Sequence, residues 1–137
     1  MRVFTSLIVS ACLLTGAAFA QDAAPKVDDS TAWFGSSSVL TQQTGEGIYK
    51  AVCASCHMPK GEGAVGAGKY PALAGNETLE FPEYPIYMVT MGGGAMPALG
   101  TVLNDDQIAA VVNYIRTSFG NTYNEDPATP EMVAETR

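Results

Sequence analysis

Histidine is the scarcest reactive side chain in this 137-residue chain: there is one, His57. A serine or cysteine triad needs a base as well as a nucleophile, and the lone imidazole is adjacent to Cys56, so no such constellation forms. Cysteine is nearly as rare, with three in all. Lys and Arg number 7 against 14 Asp and Glu, a balance that argues against nucleic acid as a partner. After residue 20 no segment is apolar for the roughly 20 residues needed to cross a bilayer. No stretch alternates persistently enough to require a sheet.

What is present begins with an exported N-terminus. Arg2 is followed by an apolar run from Val3 to Leu14, a weak Thr15-Gly16 step and an Ala18-Phe19-Ala20 exit. This order predicts a secretory signal over residues 1–20, cleaved before Gln21, and a periplasmic product. Val9-Ser10-Ala11-Cys12 also resembles a lipoprotein box, and residues 3–20 retained as an anchor are a further reading; both are weaker, because the flanks are too short or the run too diluted. Cleavage removes Cys12 and leaves an even pair of cysteines, which suits an oxidising compartment. Without Arg2 the seven cations become six against fourteen carboxylates, a net of −8. Such acidity serves solubility, and it would also suit docking to a basic partner.

Composition then divides the mature chain. Residues 21–43 are polar and small, with Pro25, Asp28-Asp29 and Ser36-Ser37-Ser38, and read as an extended arm interrupted by Trp33-Phe34. Residues 121–137, with Pro127, Pro130 and acidic Glu125, Asp126, Glu131 and Glu135, read as a loose acidic tail. The folded unit is expected over residues 44–120. Its strongest periodicity is Ile108, Val111, Val112, Ile115 and Phe119, one face of a helix introduced by Asn104 with Gln107 three residues on and closed by Gly120. A second helix is expected from about Gln43 into Cys56, and a third from about Tyr84 to Met91, stopped by Gly92-Gly93-Gly94. Between Gly61 and Gly75 the glycines and Pro71 predict a loop.

The chemistry concentrates in Cys53-Ala54-Ser55-Cys56-His57. A structural zinc site usually takes four Cys or His ligands, and this cluster is the whole supply. A thioredoxin-type pair belongs beside a βαβ unit, and none is visible. Covalent haem fits better. Thiols at i and i+3 of a helical turn can add to two vinyl groups while the next residue offers its imidazole to the iron. With His57 used, bis-histidine ligation is impossible. Of the downstream methionines, Met88 and Met91 fall in a helix, where methionine is more often core filler. Met96 follows three glycines and precedes Pro97, in a stiff loop suited to an axial ligand, and Met91 is its rival.

With these residues the chain resembles the class I c-type cytochromes over nearly all of 44–120. The likeness rests on Gly45 and Tyr49, the C-x-x-C-H run, Pro71-Ala72-Leu73-Ala74-Gly75, Met96-Pro97, and the final helix with Tyr114-Ile115. The resemblance implies an all-α fold wrapped round one haem c, with the first and last helices crossing where Gly45 meets Tyr114. It implies that the Pro71 carbonyl accepts the His57 Nδ1 proton, fixing the ring, and that Leu73 packs on the haem. The stretches YPALAGN and GGGAMPALG resemble cytochrome subunits of periplasmic alcohol and sugar dehydrogenases in particular. The implied function is one-electron transfer, with no substrate bond made or broken, from a periplasmic dehydrogenase or cytochrome towards an oxidase. Redox proteins are the expected partners, and membrane contact is expected only through them. The alternatives are a sensor or peroxidase-like protein with an open sixth position, and a permanent subunit of a dehydrogenase complex. Tyr70, Asn76 and Arg116 could bond haem propionates, but each such residue is more often simply at the surface.

Overall fold

The computed structural model describes residues 34–36, 39–66 and 68–137. The expected signal segment, Cys12 and Trp33 lie outside the described residues.

The most periodic stretch forms the longest helix. Helix α4, Asp105–Thr117, buries Ile108, Val111, Val112 and Ile115, each contributing roughly 1.5–3 kcal/mol through removal from water. Its start is a complete capping box. The Gln107 amide donates to Asn104 Oδ1 at 2.9 Å, and the Asn104 amide donates to Gln107 Oε1 at 3.0 Å, satisfying two donors that the helix leaves unpaired. Asp105 and Asp106 occupy the first turn, where the helix dipole favours anions.

The helix expected from about Gln43 runs from Gly45 to His57 but changes pitch on the way. Helix α1, Gly45–Ile48, is capped by Thr44 Oγ1, which accepts from the Gly47 amide at 3.1 Å. It passes through a π-helical turn at Tyr49–Cys53 and re-emerges as α2, Ala54–His57. The wider π turn shifts the phase of everything after it, so Cys53, Cys56 and His57 are not on the face that extrapolation from Gly45 would give. Helix α1 crosses α4 in close contact, because a Cβ on Gly45 would lie 2.6 Å from the Cβ of Tyr114 and nearer still to the Ala110 carbonyl oxygen.

Helix α3, Glu83–Met91, matches the third expected helix and ends at Gly92, whose φ of 74° suits glycine. It buries Pro85, Ile86, Val89 and Thr90. Two short antiparallel ladders depart from the expectation of an all-α chain with no sheet. Strands β1, Phe34–Ser36, and β2, Val39–Leu40, pair with each other. Strands β3, Ala64–Val65, and β4, Lys69–Tyr70, make a small hairpin inside the loop expected between Gly61 and Gly75. Ladders of two or three residues carry too few alternations to register as a pattern in sequence.

Both flanking segments are more structured than their composition suggests. Leu40 and Gln42 are buried, and Gln107 Nε2 donates to their carbonyls at 2.9 and 2.8 Å, so the packed part of the chain starts before Thr44. The segment expected as a loose acidic tail contains helix α5, Pro130–Thr136, capped by Thr129 and packed against α3 and α4 through fully buried Val133. Pro130 here opens a helix at its first turn, where no amide donor is missed.

Arg116 explains how this segment is held. Its guanidinium is buried and donates to four carbonyls: Leu79 at 2.9 Å, Glu80 at 2.7 Å, Asp126 at 2.8 Å and Glu125 at 3.1 Å. Burial lowers its pKa, and the carboxylates of Asp126 and Glu83 act in the opposite direction. These backbone bonds are this residue's role, in place of the propionate contact considered from sequence.

Candidate haem site

The site is assembled from three pieces: the end of α2, the loop that returns beneath it, and the glycine-rich loop after α3. His57 ends α2, and Met58 turns the chain with a φ of 67°. Tyr49, on the π turn, donates its hydroxyl to the Met58 carbonyl at 2.7 Å. Its ring meets Phe119 at 4.9 Å and Tyr114 at 5.6 Å between centroids. Burial, first among its causes, raises the Tyr49 phenol to about 12. Both tyrosines are packing residues in this cluster.

The loop below His57 is drawn up by backbone bonds. The Gly61 carbonyl accepts from the amides of Leu73 at 2.7 Å and Ala74 at 2.9 Å, and the Gly63 amide donates to the His57 carbonyl at 3.0 Å. Gly63 has a φ of 67°, and a Cβ there would lie 2.7 Å from the Ala72 nitrogen and 2.8 Å from the Pro71 carbonyl carbon. Only glycine allows this approach. Its result is that His57 Nδ1 stands 2.9 Å from the Pro71 carbonyl oxygen. A carbonyl can only accept, so Nδ1 is the donor in this contact and Nε2 is the nitrogen left over for a metal.

Asn121 braces the same loop from the far side. Its Nδ2 donates to the carbonyls of Leu73 and Ile115, both at 2.8 Å, and its Oδ1 accepts from the Asn76 amide at 3.1 Å. Asn76 in turn donates to the Ala72 carbonyl at 2.8 Å and caps the 3₁₀ turn Glu77–Leu79. Sequence reasoning missed Asn121, which fell in the segment read as a tail; a lone Asn after Gly120 carries no signal of a bond to a loop 48 residues away.

The methionine loop is packed as tightly. Gly93 and Met96 exchange both backbone hydrogen bonds at 3.0 Å. A Cβ on Gly92 would press 2.7 Å from the Ala98 nitrogen, and one on Gly93 would meet the Met88 ε-methyl at 2.8 Å. The loop then returns to α3 through Leu99 to Val89 and Gly100 to Thr90 backbone bonds at 2.9 and 3.1 Å.

Between these pieces lie two adjoining apolar cavities, of about 100 and 250 Å³. Both are lined by Cys53, His57, Pro71, Met88 and Met96; Leu73 faces the smaller and Cys56 the larger. All six residues expected to hold the group are therefore on one set of walls. Val111 and Ile115 of α4 close the smaller cavity. Met91, the rival ligand, is half exposed and lines neither, whereas Met88 lines both.

These residues fit a covalently held haem. Cys53 and Cys56 are free thiols. Burial, with proximity to Cys56 adding to it, pushes the Cys53 thiol up to about 12. The surrounding walls are apolar, as a macrocycle requires.

Paired thiols, an adjacent imidazole with one nitrogen tied back, and a methionine on the walls of the same apolar cavities are the features of a c-type cytochrome domain. The chain belongs to the family described as cytochrome C oxidase, cbb3-type, subunit III, whose model matches residues 41–115, more than half of it. The family implies covalently bound haem c, and Cys53 and Cys56 are spaced like its C-x-x-C-H motif.

Among similar proteins are the fructose dehydrogenase cytochrome subunit of Gluconobacter japonicus, 38% identical over 102 residues, and the gluconate 2-dehydrogenase cytochrome c subunit of Pantoea cypripedii, 39% identical over 123. These matches cover 63% and 74% of the chain but 21% and 26% of the relatives, so the chain spans about a quarter of their length. Cytochrome c6 of Microcystis aeruginosa is 40% identical over 75 residues, covering 52% of the chain and 89% of the relative. These cytochromes are electron-transfer proteins, and electron carriage is the function they support for this chain.

Proposed function

We propose that the protein is an exported, periplasmic one-electron carrier whose haem is bound through Cys53 and Cys56 with His57 and Met96 as axial ligands. The observation that carries this reading is the placement of His57 and Met96 on the walls of the same apolar cavities, with His57 Nδ1 held 2.9 Å from the Pro71 carbonyl. When bound, the group supplies reversible one-electron chemistry at iron, and a histidine–methionine pair raises its potential. The chain's own residues set the conditions. Pro71 orients the imidazole, Leu73, Val111 and Ile115 exclude water, and the Gly92-Gly93 packing presents the Met96 thioether.

The physiological donor in this reading is a periplasmic dehydrogenase, and the acceptor a further cytochrome or an oxidase. The relatives that are cytochrome subunits of fructose and gluconate dehydrogenases also favour a second form of it, in which the chain is a permanent subunit of such a complex. Copurification of a large partner at high salt would select the subunit form over the free carrier.

Absorption spectra of wild type and Met96→Ala test the ligation. The weak band near 695 nm of iron–methionine ligation, implied by the family resemblance, should be present in the ferric wild type and lost in the variant. A high-spin wild type that binds carbon monoxide without denaturant would replace this reading with an open sixth position.

A further inference from the structure

Helix α3 carries a feature that the haem site does not use. Its buried side is Pro85, Ile86, Val89 and Thr90. On the outer side Tyr84 is 52%, Tyr87 53% and Met91 50% exposed, and Phe81, just before the helix, is 64% exposed. At about 100° per residue, Tyr84, Tyr87 and Met91 fall within an arc of roughly 60°, so they form one stripe. Large apolar side chains exposed singly need no explanation, but a contiguous stripe marks an interaction site.

The stripe adjoins the haem slot. Tyr84 itself lines the smaller cavity, and Met88, next round the helix, lines both. Whatever covers Tyr87 and Met91 is thereby one side chain away from the cavity wall.

The Phe81 end of the stripe is anionic. Glu83 flanks it on α3, and exposed Glu77 and Glu80 precede it on the 3₁₀ turn and its exit. In a chain of formal charge −7, three carboxylates beside an apolar centre repel a second copy and attract a cationic rim.

We propose that the Tyr84, Tyr87 and Met91 stripe, with exposed Phe81 just before it and the carboxylates of Glu77, Glu80 and Glu83 at that same end of the helix, is the docking surface for a redox protein that presents an apolar centre edged by lysine or arginine. The proposal rests on the electron-carrier reading and assigns where on the molecule the electron passes. The four side chains make a small interface, as brief encounters between redox proteins require. The carboxylates steer the approach, and the aromatic stripe sets the fit once contact is made.

The test uses the haem-loaded full chain and a strongly basic mitochondrial cytochrome c as the redox partner. Stopped-flow electron transfer is measured from low to high salt for wild type, for Glu77→Lys with Glu80→Lys, and for Tyr87→Ser with Met91→Ser. Glu83 is left in place because it lies in the field of buried Arg116. Reduction by ascorbate is measured in parallel.

Charge reversal is expected to slow transfer about tenfold at low salt, with the difference vanishing as salt rises. The serine pair is expected to slow it several-fold at every salt concentration, and ascorbate, compared at high salt where charge is screened, should reduce all three proteins at the same rate. Amide resonances that shift on adding the partner should cluster at residues 77–91. Unchanged protein-to-protein rates in both variants, or shifts clustered around Lys69 and Tyr70 instead, would overturn the proposal. So would a concentration-dependent dimer abolished by the serine pair, which would assign the face to a second copy. Protein-to-protein rates unchanged by either variant, with ascorbate reduction intact, remove the docking surface alone. A wild type that takes no electron from ascorbate removes the carrier reading, and the surface with it.

Discussion

The Gly63 α-carbon lies so close to the Pro71–Ala72 peptide that an added Cβ would stand 2.7 Å from the Ala72 nitrogen. This approach keeps the Pro71 carbonyl 2.9 Å from His57 Nδ1. Gly63→Ala must push the loop away or strain a backbone at φ 67°. The expected cost is about 1–3 kcal/mol of stability, read as a lower unfolding midpoint in denaturant. A shifted haem potential should accompany it as the imidazole loses its fixed orientation. A variant matching wild type in both would show that the contact does not hold the histidine.

Arg116 should be intolerant of its nearest substitute. Its fork satisfies four carbonyls in the interior, and the point charge of lysine cannot reproduce that geometry. Arg116→Lys is expected to cost about 3 kcal/mol or more, with hydrogen exchange rising first at Glu125–Ala128. Uniform exchange throughout the chain would argue against a local staple.

The C-terminal helix tests the correction made to the expected tail. Val133 is fully buried, so Val133→Ala should lower stability by about 2 kcal/mol. A solvated tail would show no change. Thermal unfolding of the haem-loaded chain decides between them.

Met91 and Met88 should behave differently. Met91→Ala, at a half-exposed side chain away from both cavities, is expected to leave the absorption spectrum as it is. Met88→Ala removes the side chain packed against Gly93 and should perturb the methionine band by loosening the Met96 loop. A spectrum altered by Met91→Ala and untouched by Met88→Ala would reverse the assignment of the two residues.

Asn104→Ala removes one bond of the α4 capping box and strands the other partner. A loss of about 1 kcal/mol is expected, without any change in haem spectrum, since Asn104 lies at the end of α4 away from the cavity walls.

Legibility followed the range of the interactions concerned. Helix α4 could be read from its start to Ile115, because its apolar stripe, capping box and acidic first turn all act within a few residues; its end could not, since Phe119 and Gly120, expected to finish it, lie beyond the Ser118 C-cap and Phe119 turns out of the helix at a φ of 58°. The site could be named for a related reason: Cys53, Cys56 and His57 are chemically distinctive and adjacent, and Met96 was singled out by its glycines and proline. The bonds that position these ligands were less accessible. Gly63 could be placed in a loop from sequence, but not beneath Pro71. The π turn at Tyr49–Cys53 has no composition of its own and exists to reconcile the buried Tyr49 with a Cys53 that faces the cavity.

The cofactor chemistry, the number of imidazoles available to it and the principal helices could be read from the residues alone, because each depends on residue type or short spacing. Tertiary structure decided that Arg116 serves four carbonyls, that Asn121 braces the Pro71 loop and that residues 130–136 pack as a helix. It also brought the apolar stripe of α3 to the edge of the haem slot. These are contacts between segments tens of residues apart, and a carbonyl, a lone Asn or an isolated Val states nothing in sequence about which distant surface it will meet.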